Sequence, residues 1–316
     1  MATSGELSIA RRAGRGEPRL AFFSGLWYNA GEQNESGGRP MRRRSKYLLG
    51  GAAALCLLAV PVCRWQNDGL MLTRYTVELS GLPEELDGMT LVQVSDLHSK
   101  PMGEGQELLL NTISQAKPYV ILLTGDLVDG RRPELVPALE LARGAAALAP
   151  TYYVTGNHET SLPWETREQI ENGLEAAGVV LLDNRTEELS LPGGGTMVLT
   201  GLCDDNLGDG TLERLSASWP EDAVTVLLAH EPQYIENYAA SGVDLAFCGH
   251  AHGGQIRLPL VGGLFAPGQG FLPKYTAGIY QLGETQMVVS RGIGGSLFPQ
   301  RVWNRPEVVA VTLKRG

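Results

Sequence analysis

The sequence contains little cysteine, little histidine and few charged residues. Four cysteines in 316 residues are too few for a disulfide framework. Cys203 and Cys248 stand beside predicted strands, where we expect two buried free thiols, with a bridge between them as the alternative. The overall composition, 43% hydrophobic and 19% charged, excludes a disordered, collagen-like or multi-pass membrane protein as the main class. Only five histidines occur, so the position of each one is informative.

Several common enzyme signatures are also missing. The chain has no G-x-S-x-G nucleophile elbow and no phosphate-binding loop that ends in Gly-Lys-Ser/Thr. Residues 292–297 approach a dinucleotide-binding fingerprint but fail it at Leu297. The His-x-His-x-Asp-His cluster of metallo-β-lactamases is absent as well. These absences disfavour the corresponding classes of enzyme.

The net charge of −9 is distributed unevenly along the chain. Residues 1–46 carry nine Lys or Arg and four acids, a net charge of +5, which leaves −14 for the remainder. Because the body of the chain is acidic, we expect no nucleic acid partner.

The basic beginning of the chain has the pattern of a targeting segment. Residues 1–40 are rich in Gly, Arg, Ser and Glu and show no apolar period, which predicts disorder. Met41 then opens a second pattern, in which four basic residues precede the uncharged apolar run 47–63. Since this order is typical of a signal segment, we interpret Met41 as the true initiator and residues 1–40 as an upstream extension.

Residues 41–63 are interpreted as a retained signal anchor, with cleavage as the alternative. The apolar run is at the short limit for a transmembrane helix, and its end, around Val60 to Cys63, offers no small-x-small cleavage site. Basic residues before the run and a single Arg64 after it favour a cytoplasmic N-terminus. We therefore expect a cell-membrane protein in which residues 64–72 link the anchor to one extracytoplasmic domain, 73–316.

The body alternates predicted strands with helices, which indicates an α/β or α+β fold. Early strands separated by helices predict parallel βαβ units, and the closely spaced later strands predict mixed or antiparallel pairing. The predicted strands are 73–79, 89–94, 119–123, 152–155, 179–182, 197–202, 224–228, 245–248, 286–290 and 308–313, and the predicted helices are 104–116, 133–148 and 165–177. Residues 249–275, rich in Gly and Pro, predict a long functional loop.

Five of the predicted strands end in side chains that commonly bind metals. The segments are Asp96-Leu97-His98, Gly125-Asp126, Gly156-Asn157-His158-Glu159, His230-Glu231 and Gly249-His250-Ala251-His252. Open α/β sheets place their sites at the carboxyl ends of strands. A single His or Gly-Asp after a strand is more often an ordinary loop residue. All five histidines lie in these segments, however, and chance would rarely place them so.

The kinds of donor in these segments indicate a pair of divalent ions. Carboxylate and amide oxygens mixed with imidazole suit Mn, Fe, Zn or Co rather than calcium or an iron–sulfur cluster. Seven candidate ligands are too many for one tetrahedral ion with an open position, and they suit two ions that share a bridging carboxylate.

The five segments, in this order, resemble the full signature of the calcineurin-like metallophosphoesterases. Later segments, including 278–280 and 290–294, resemble the membrane-associated bacterial phosphodiesterase branch, which typically carries an N-terminal signal or anchor. The resemblance covers residues 73–316. It implies a two-sheet β-sandwich flanked by helices, four layers in all, with a dimetal site at the C-terminal ends of strands.

The resemblance also implies a role for each motif residue. Seven would be metal ligands: Asp96, His98 and His252 at the first ion, Asn157, His230 and His250 at the second, and Asp126 as a bridge. His158 would act beside the leaving group or a phosphate oxygen as a proton donor. The implied reaction is hydrolysis of a phosphodiester or pyrophosphate by a metal-bridging hydroxide, and the predicted anchor favours a lipid-linked substrate. The alternative is a membrane-anchored metal-binding scaffold or receptor without turnover, against which the complete ligand set and His158 argue.

Overall fold

The computed structural model describes residues 57, 59–190, 195–295 and 298–316. The predictions for residues 1–40 and for most of the apolar run 47–63 therefore lie outside the described residues. Residues 59–68 belong to a helix, α1, and the first strand begins at Met71, so the predicted linker 64–72 contains the end of one element and the start of another. Within the described ranges, every helix is too short or too polar to cross a membrane.

Two six-stranded sheets form the centre of the fold. The first consists, in spatial order, of β1 (Met71–Leu79), β16 (Glu307–Arg315), β2 (Thr90–Val94), β3 (Val120–Thr124), β4 (Thr151–Val154) and β5 (Val180–Leu181). The second consists of β14 (Gly278–Leu282), β15 (Thr285–Val289), β9 (Leu245–Cys248), β8 (Val224–Ala229), β7 (Thr196–Leu202) and β6 (Arg185–Ser190).

Strand directions differ between the early and late parts of the chain. In the first sheet β2, β3, β4 and β5 are mutually parallel, and β16 lies antiparallel to β2. In the second sheet β7, β8, β9 and β15 are parallel, and the edge strands β6 and β14 are antiparallel to their neighbours. The prediction of parallel units followed by mixed pairing is confirmed.

Helices cover the outer face of each sheet. Against the first sheet lie α2 (Glu107–Gln115), α3 (Val136–Leu148) and α5 (Trp164–Ala176), and against the second lie α6 (Thr211–Ser216) and α7 (Ile235–Ala240). Alternating side chains of each strand enter different cores. Ile121 packs under the helices, for example, while Leu122 belongs with Phe247 to the core between the sheets. The four-layer sandwich implied by the resemblance is confirmed.

The structure also contains elements that the sequence did not predict. These are the edge strands β6 and β14, the six-residue helices α6 and α7, and two small hairpins within the predicted loop 249–275. The hairpins are formed by β10 (Arg257–Leu258) with β11 (Gly262–Gly263), and by β12 (Phe265–Ala266) with β13 (Gly270–Phe271). The hairpin strands have two residues each and the two helices six, which is too few for an apolar period to show, and edge strand β6 is mostly polar. Cys203 and Cys248 are buried free thiols, as expected.

Candidate metal centre

The strand-end residues come together at one edge of the sandwich. Residues after β2, β3 and β4 of the first sheet face residues after β8 and β9 of the second, and together they bring Asp96, His98, Asp126, Asn157, His158, His230, His250 and His252 into one site. Parallel strands end at the same edge of a sheet, and the facing sheets place the two edges opposite each other. The structure thus gathers all eight residues that the sequence singled out.

The loops that carry these side chains have an unusual backbone. Asp96, His98, Asp126, His250 and His252 all have positive φ, between 45° and 64°. Such a conformation costs a non-glycine residue about 1–3 kcal/mol and persists only where neighbouring contacts enforce it. Here the loops enforce one another, since the Asp96 N–H donates to Gly125 O (3.0 Å) and the His98 N–H donates to Asp126 O (2.9 Å).

Three side chains form a first group of potential ligands. The Nε2 atoms of His98 and His252 are 3.0 Å apart, and Asp96 Oδ1 lies 3.4 Å from His252 Nε2 and 3.9 Å from His98 Nε2. Two ligands that are each about 2.1 Å from a shared ion lie roughly 3.0–3.4 Å apart. The distances from His252 to His98 and to Asp96 therefore fit one ion, and the 3.9 Å between Asp96 and His98 fits the same ion at a wider ligand–metal–ligand angle.

A second group lies on the other side of Asp126. His230 Nε2 is 3.1 Å from Asp126 Oδ2, and His250 Nδ1 is 2.8 Å from Asn157 Oδ1. The Nδ1 of His230 donates to Thr124 O (2.8 Å), so in a neutral ring Nε2 carries a lone pair that faces the carboxylate. Two acceptors facing each other repel, and a cation between them removes that repulsion. The donor set therefore fits a metal ion.

Asp126 connects the two groups. Its Oδ2 lies 3.1 Å from His230 Nε2 in the second group and 3.6 Å from His98 Nε2 in the first group. Its Oδ1 accepts the backbone N–H of His158 at 2.8 Å, which fixes the carboxylate plane. A carboxylate in this position is what a site for two neighbouring ions requires.

The electrostatics of the site favour cation binding. Burial lowers the pKa of His98 to about 4 and that of His250 to about 3, and it also lowers the pKa of His252. These rings are neutral at neutral pH, which is the form that binds metal. Burial also lowers the pKa of His230, but Asp126 and Asp96 outweigh burial and raise that pKa above its usual value.

Comparison with known proteins agrees with this geometry. The sequence profile of the calcineurin-like phosphoesterases matches residues 89–254, which include all eight strand-end residues. The chain belongs to this family. The predicted family, and with it the class of metal-dependent phosphoric ester hydrolase, is confirmed.

Three relatives show the range of this phosphoesterase family. The metallophosphoesterase YkuE of Bacillus subtilis is 32% identical over 253 residues, which cover 77% of this chain and 85% of YkuE. The phosphodiesterase YaeI of Escherichia coli is 34% identical over 200 residues, 63% of this chain and 72% of YaeI. A transmembrane protein with a metallophosphoesterase domain from Danio rerio is 27% identical over 259 residues, 76% of this chain and 56% of that protein.

In this phosphoesterase, the strand-end residue His158 lies beside the two ligand groups, close to His98 and Asp126. It is carried by the short helix α4 (Asn157–Thr160), and its ring centroid is 4.4 Å from that of His98. Its Nδ1 accepts the backbone N–H of Gly130 at 2.9 Å. A neutral His158 therefore carries its proton on Nε2.

Glu159 is a structural component of the site to which the sequence assigned no role. Its side chain is buried and accepts three backbone N–H groups, those of Asp126 (2.9 Å), Val128 (2.8 Å) and Gly156 (3.1 Å). Burial, with the nearby Asp126, raises the pKa of Glu159 to about 8, although the N–H donors oppose that rise. It lies three residues after the N-cap Gly156, at the Glu position of a capping box, but glycine has no side chain to complete that motif, so the sequence shows only half of the signal.

Two acidic side chains, Glu231 and Asp204, lie near His250. Glu231 Oε1 lies 3.4 Å from His250 Nε2. Burial raises the pKa of Glu231 to about 7, with a further contribution from Asp204, and burial raises the pKa of Asp204 to about 6. A His250 ring that binds an ion through Nδ1 carries its proton on Nε2, where Glu231 can accept it. The sequence marked Glu231 only as a neighbour of His230, and nothing in it marked Asp204.

Proposed function

We propose that this phosphoesterase hydrolyses a phosphodiester or pyrophosphate with two divalent ions. The observation that carries the proposal is the position of Asp126, whose carboxylate joins two groups of donors that each fit one ion. The name of the relative YaeI, a phosphodiesterase, supports a diester rather than a monoester.

In this proposal the ligands divide into two sets. Asp96, His98 and His252 hold the first ion, Asn157, His230 and His250 hold the second, and Asp126 bridges them. The mixture of oxygen and imidazole donors suits Mn, Fe, Zn or Co. Bound ions of this kind lower the pKa of water towards about 7 and neutralise charge on phosphate oxygens.

His158 is proposed to donate a hydrogen bond to the substrate. Because Gly130 donates to Nδ1, the neutral ring offers an N–H at Nε2 to a phosphate oxygen or to the leaving oxygen. Complete proton transfer requires a charged ring, in which Nδ1 gives up the bond from Gly130. The geometry therefore favours a neutral hydrogen-bond donor over a full general acid.

The membrane setting is part of the proposal. We propose that residues 41–63 anchor the protein in the cell membrane, that the catalytic domain lies outside the cytoplasm, and that the substrate is lipid-linked. Support comes from the pattern of basic and apolar residues there and from the transmembrane relative in Danio rerio.

A metal and turnover assay tests the catalytic part. The purified full chain in detergent should hydrolyse bis-p-nitrophenyl phosphate with added Mn, lose this activity in EDTA and regain it when Mn is returned. Elemental analysis should find two ions per chain. A protein that binds two ions and turns over neither this compound nor phospholipid, nucleotide or wall-polymer diesters would be the scaffold of the alternative reading.

A further inference from the structure

Beside the metal centre, five large apolar side chains project into solvent from neighbouring turns. They are Leu260, Val261, Phe271, Leu272 and Trp303, with exposed fractions of 108%, 57%, 85%, 66% and 61%. We propose that these residues, called here the docking surface, seat the catalytic domain on an anionic lipid bilayer. The proposal rests on the proposed membrane anchor, but it does not depend on the proposed chemistry.

The backbone shows that fold stability does not account for these side chains. In the first hairpin the Val261 N–H donates to Leu258 O (3.2 Å), which closes a turn with Pro259 at its second position and Leu260 at its third. Leu260 has φ 67°, and a turn with Pro at the second position and positive φ at the third favours Gly or Asn there. The chain instead places a fully exposed leucine at this point.

Two more residues combine a positive φ with an exposed apolar side chain. Leu272 follows the second hairpin with φ 53°, and Trp303 lies in a separate loop with φ 48°. Bulky residues rarely adopt such a backbone, and an exposed apolar side chain gains nothing from packing. Three strained and exposed apolar side chains in one region indicate a role outside the folded domain, and contiguous patches of this kind mark interaction surfaces.

The charge of this region matches an anionic partner. Residues 245–306 contain five basic residues and one acid, Glu284. Of the basic residues, Lys274 is exposed and Arg257, Arg291 and Arg305 are half-buried, whereas Arg301 is buried and donates to backbone carbonyls. Lys274 follows Phe271 and Leu272 closely. Apolar tips beside an exposed lysine and half-buried arginines, with a single acid in the stretch, fit a surface that binds anionic headgroups.

The docking surface is tied to the metal centre by direct hydrogen bonds. The Leu264 N–H, between the hairpins, donates to Gly254 O (3.1 Å), and the Arg257 N–H donates to Val302 O (2.9 Å). Asn304, next to Trp303, donates from Nδ2 to His252 O (2.7 Å). A bilayer that holds these turns therefore holds the metal centre close to the headgroup layer, where lipid phosphodiesters lie.

The path of the chain favours a bilayer over a second copy as the partner. Helix α1 begins within the apolar run 47–63 and packs on the loop that carries Trp303. Asn67 of this helix donates from Nδ2 to Pro299 O (2.9 Å). The guanidinium of Arg305 stacks on the ring of Trp65 at 4.4 Å. The predicted anchor thus leads into the domain next to the docking surface. Tryptophan and basic residues together are typical of membrane interfaces.

Quenching by lipid-borne groups tests this inference. The full chain, with Cys56→Ser and Cys63→Ser, is placed one copy per nanodisc of phosphatidylcholine and phosphatidylglycerol in equal parts, some carrying a doxyl quencher. A fluorophore on Phe271→Cys should be quenched severalfold more than one on Leu148→Cys. Leu148 is a matched control because it is also exposed. It lies at the end of α3, just before β4 starts, and so at the opposite edge of the sheet from the metal centre. Equal quenching at the two positions overturns the proposal.

Two further experiments, a double variant and a change of lipid, test whether the partner is an anionic bilayer. Leu260→Gly with Trp303→Gly should reduce quenching at position 271 while the thermal midpoint holds or rises, because glycine fits both backbones. Unchanged quenching in this variant, or quenching that is equal in discs of phosphatidylcholine alone, contradicts docking on an anionic surface. Concentration-dependent shielding of the label in detergent would instead indicate a second copy. Since quenching needs no turnover, docking and phosphodiesterase activity can fail separately.

Discussion

The loops of the metal centre and the loops of the docking surface depart from the usual distribution of side chains in opposite directions. In the first region, charged and polar groups such as Asp96 and His230 are fully buried. In the second, apolar groups such as Leu260 and Phe271 are exposed. Burying unpaired polar groups and exposing apolar ones both cost free energy.

The two regions nevertheless share a backbone feature. Both hold non-glycine residues at positive φ, for example Asp126 at 53° and Leu272 at 53°. In each region the sequence keeps a side chain where glycine would relieve strain. The comparison indicates that each region is adapted to something outside the chain, divalent ions in one and lipid in the other, and each can be tested by a substitution that leaves the fold intact.

The largest effect is expected at Asp126. Asp126→Asn keeps the shape of the side chain but removes the negative charge between the two donor groups, so activity on bis-p-nitrophenyl phosphate should fall roughly 10³-fold. Elemental analysis should show fewer than two ions per chain. Asp222→Asn, on an exposed loop, is the matched control and should leave both values unchanged. Normal binding of two ions by Asp126→Asn would remove the bridging role.

His158 should affect turnover without affecting ion content. His158→Ala removes the proposed hydrogen-bond donor and should lower activity by about 10²-fold with two ions still bound. His158→Gln offers a neutral N–H donor, so it should recover part of the activity if the ring acts without charging. Full activity of the alanine variant with its ions in place would show that His158 has no catalytic role.

The sequence predicted the site better than it predicted the edges of the fold. Asp96 and His230 were identifiable because a buried strand reveals itself by its apolar residues, and the ligand follows directly where that run stops. Edge strand β6 has the sequence RTEELS, whose polar residues give no apolar signal. Its formation depends on pairing with β7, which is a tertiary contact.

The surroundings of the site were less predictable than its ligands. Glu231 and Asp204 matter because folding brings them behind His250, and no local pattern encodes that proximity. Residues 249–275 were expected to be a functional loop, but the exposure of Leu260 depends on hairpins of two-residue strands that periodicity cannot reveal.

Substitutions of Glu231 show whether a residue that does not itself bind metal affects the metal affinity of His250. If it accepts the Nε2 proton of a metal-bound His250, then Glu231→Ala should weaken the affinity for the second ion by about 10–100-fold. Glu231→Gln, which retains an acceptor oxygen, should weaken it less. Competition with a chromogenic chelator measures these affinities. Glu236→Ala, exposed on α7, is the control, and an equal effect there would show that Glu231 has no special part.

Leu260 tests the cost of the exposed apolar region. Leu260→Gly should stabilise the fold by about 1 kcal/mol, because the left-handed backbone penalises leucine and the exposed side chain contributes no packing. Thermal unfolding in detergent measures the change. Leu258→Gly, two residues earlier in β10, should instead destabilise the protein, because glycine weakens a strand. A loss of stability in Leu260→Gly would mean that its side chain supports the fold.

The cysteines report how far water reaches into each part of the molecule and do not change its activity. Cys63 in α1 is exposed, whereas burial raises the pKa of Cys203, beside Asp204, to about 12. At pH 8 a thiol with that pKa has about 10³-fold less thiolate than one with a pKa near 9, and its thiolate fraction rises about tenfold per pH unit. Alkylation of the Cys56→Ser protein, followed by peptide mass spectrometry, should therefore modify Cys63 quickly and Cys203 only in denaturant or at strongly alkaline pH. Comparable rates at pH 8 would mean that the interior behind the metal centre opens to solvent, so that burial could no longer explain the neutral histidines there.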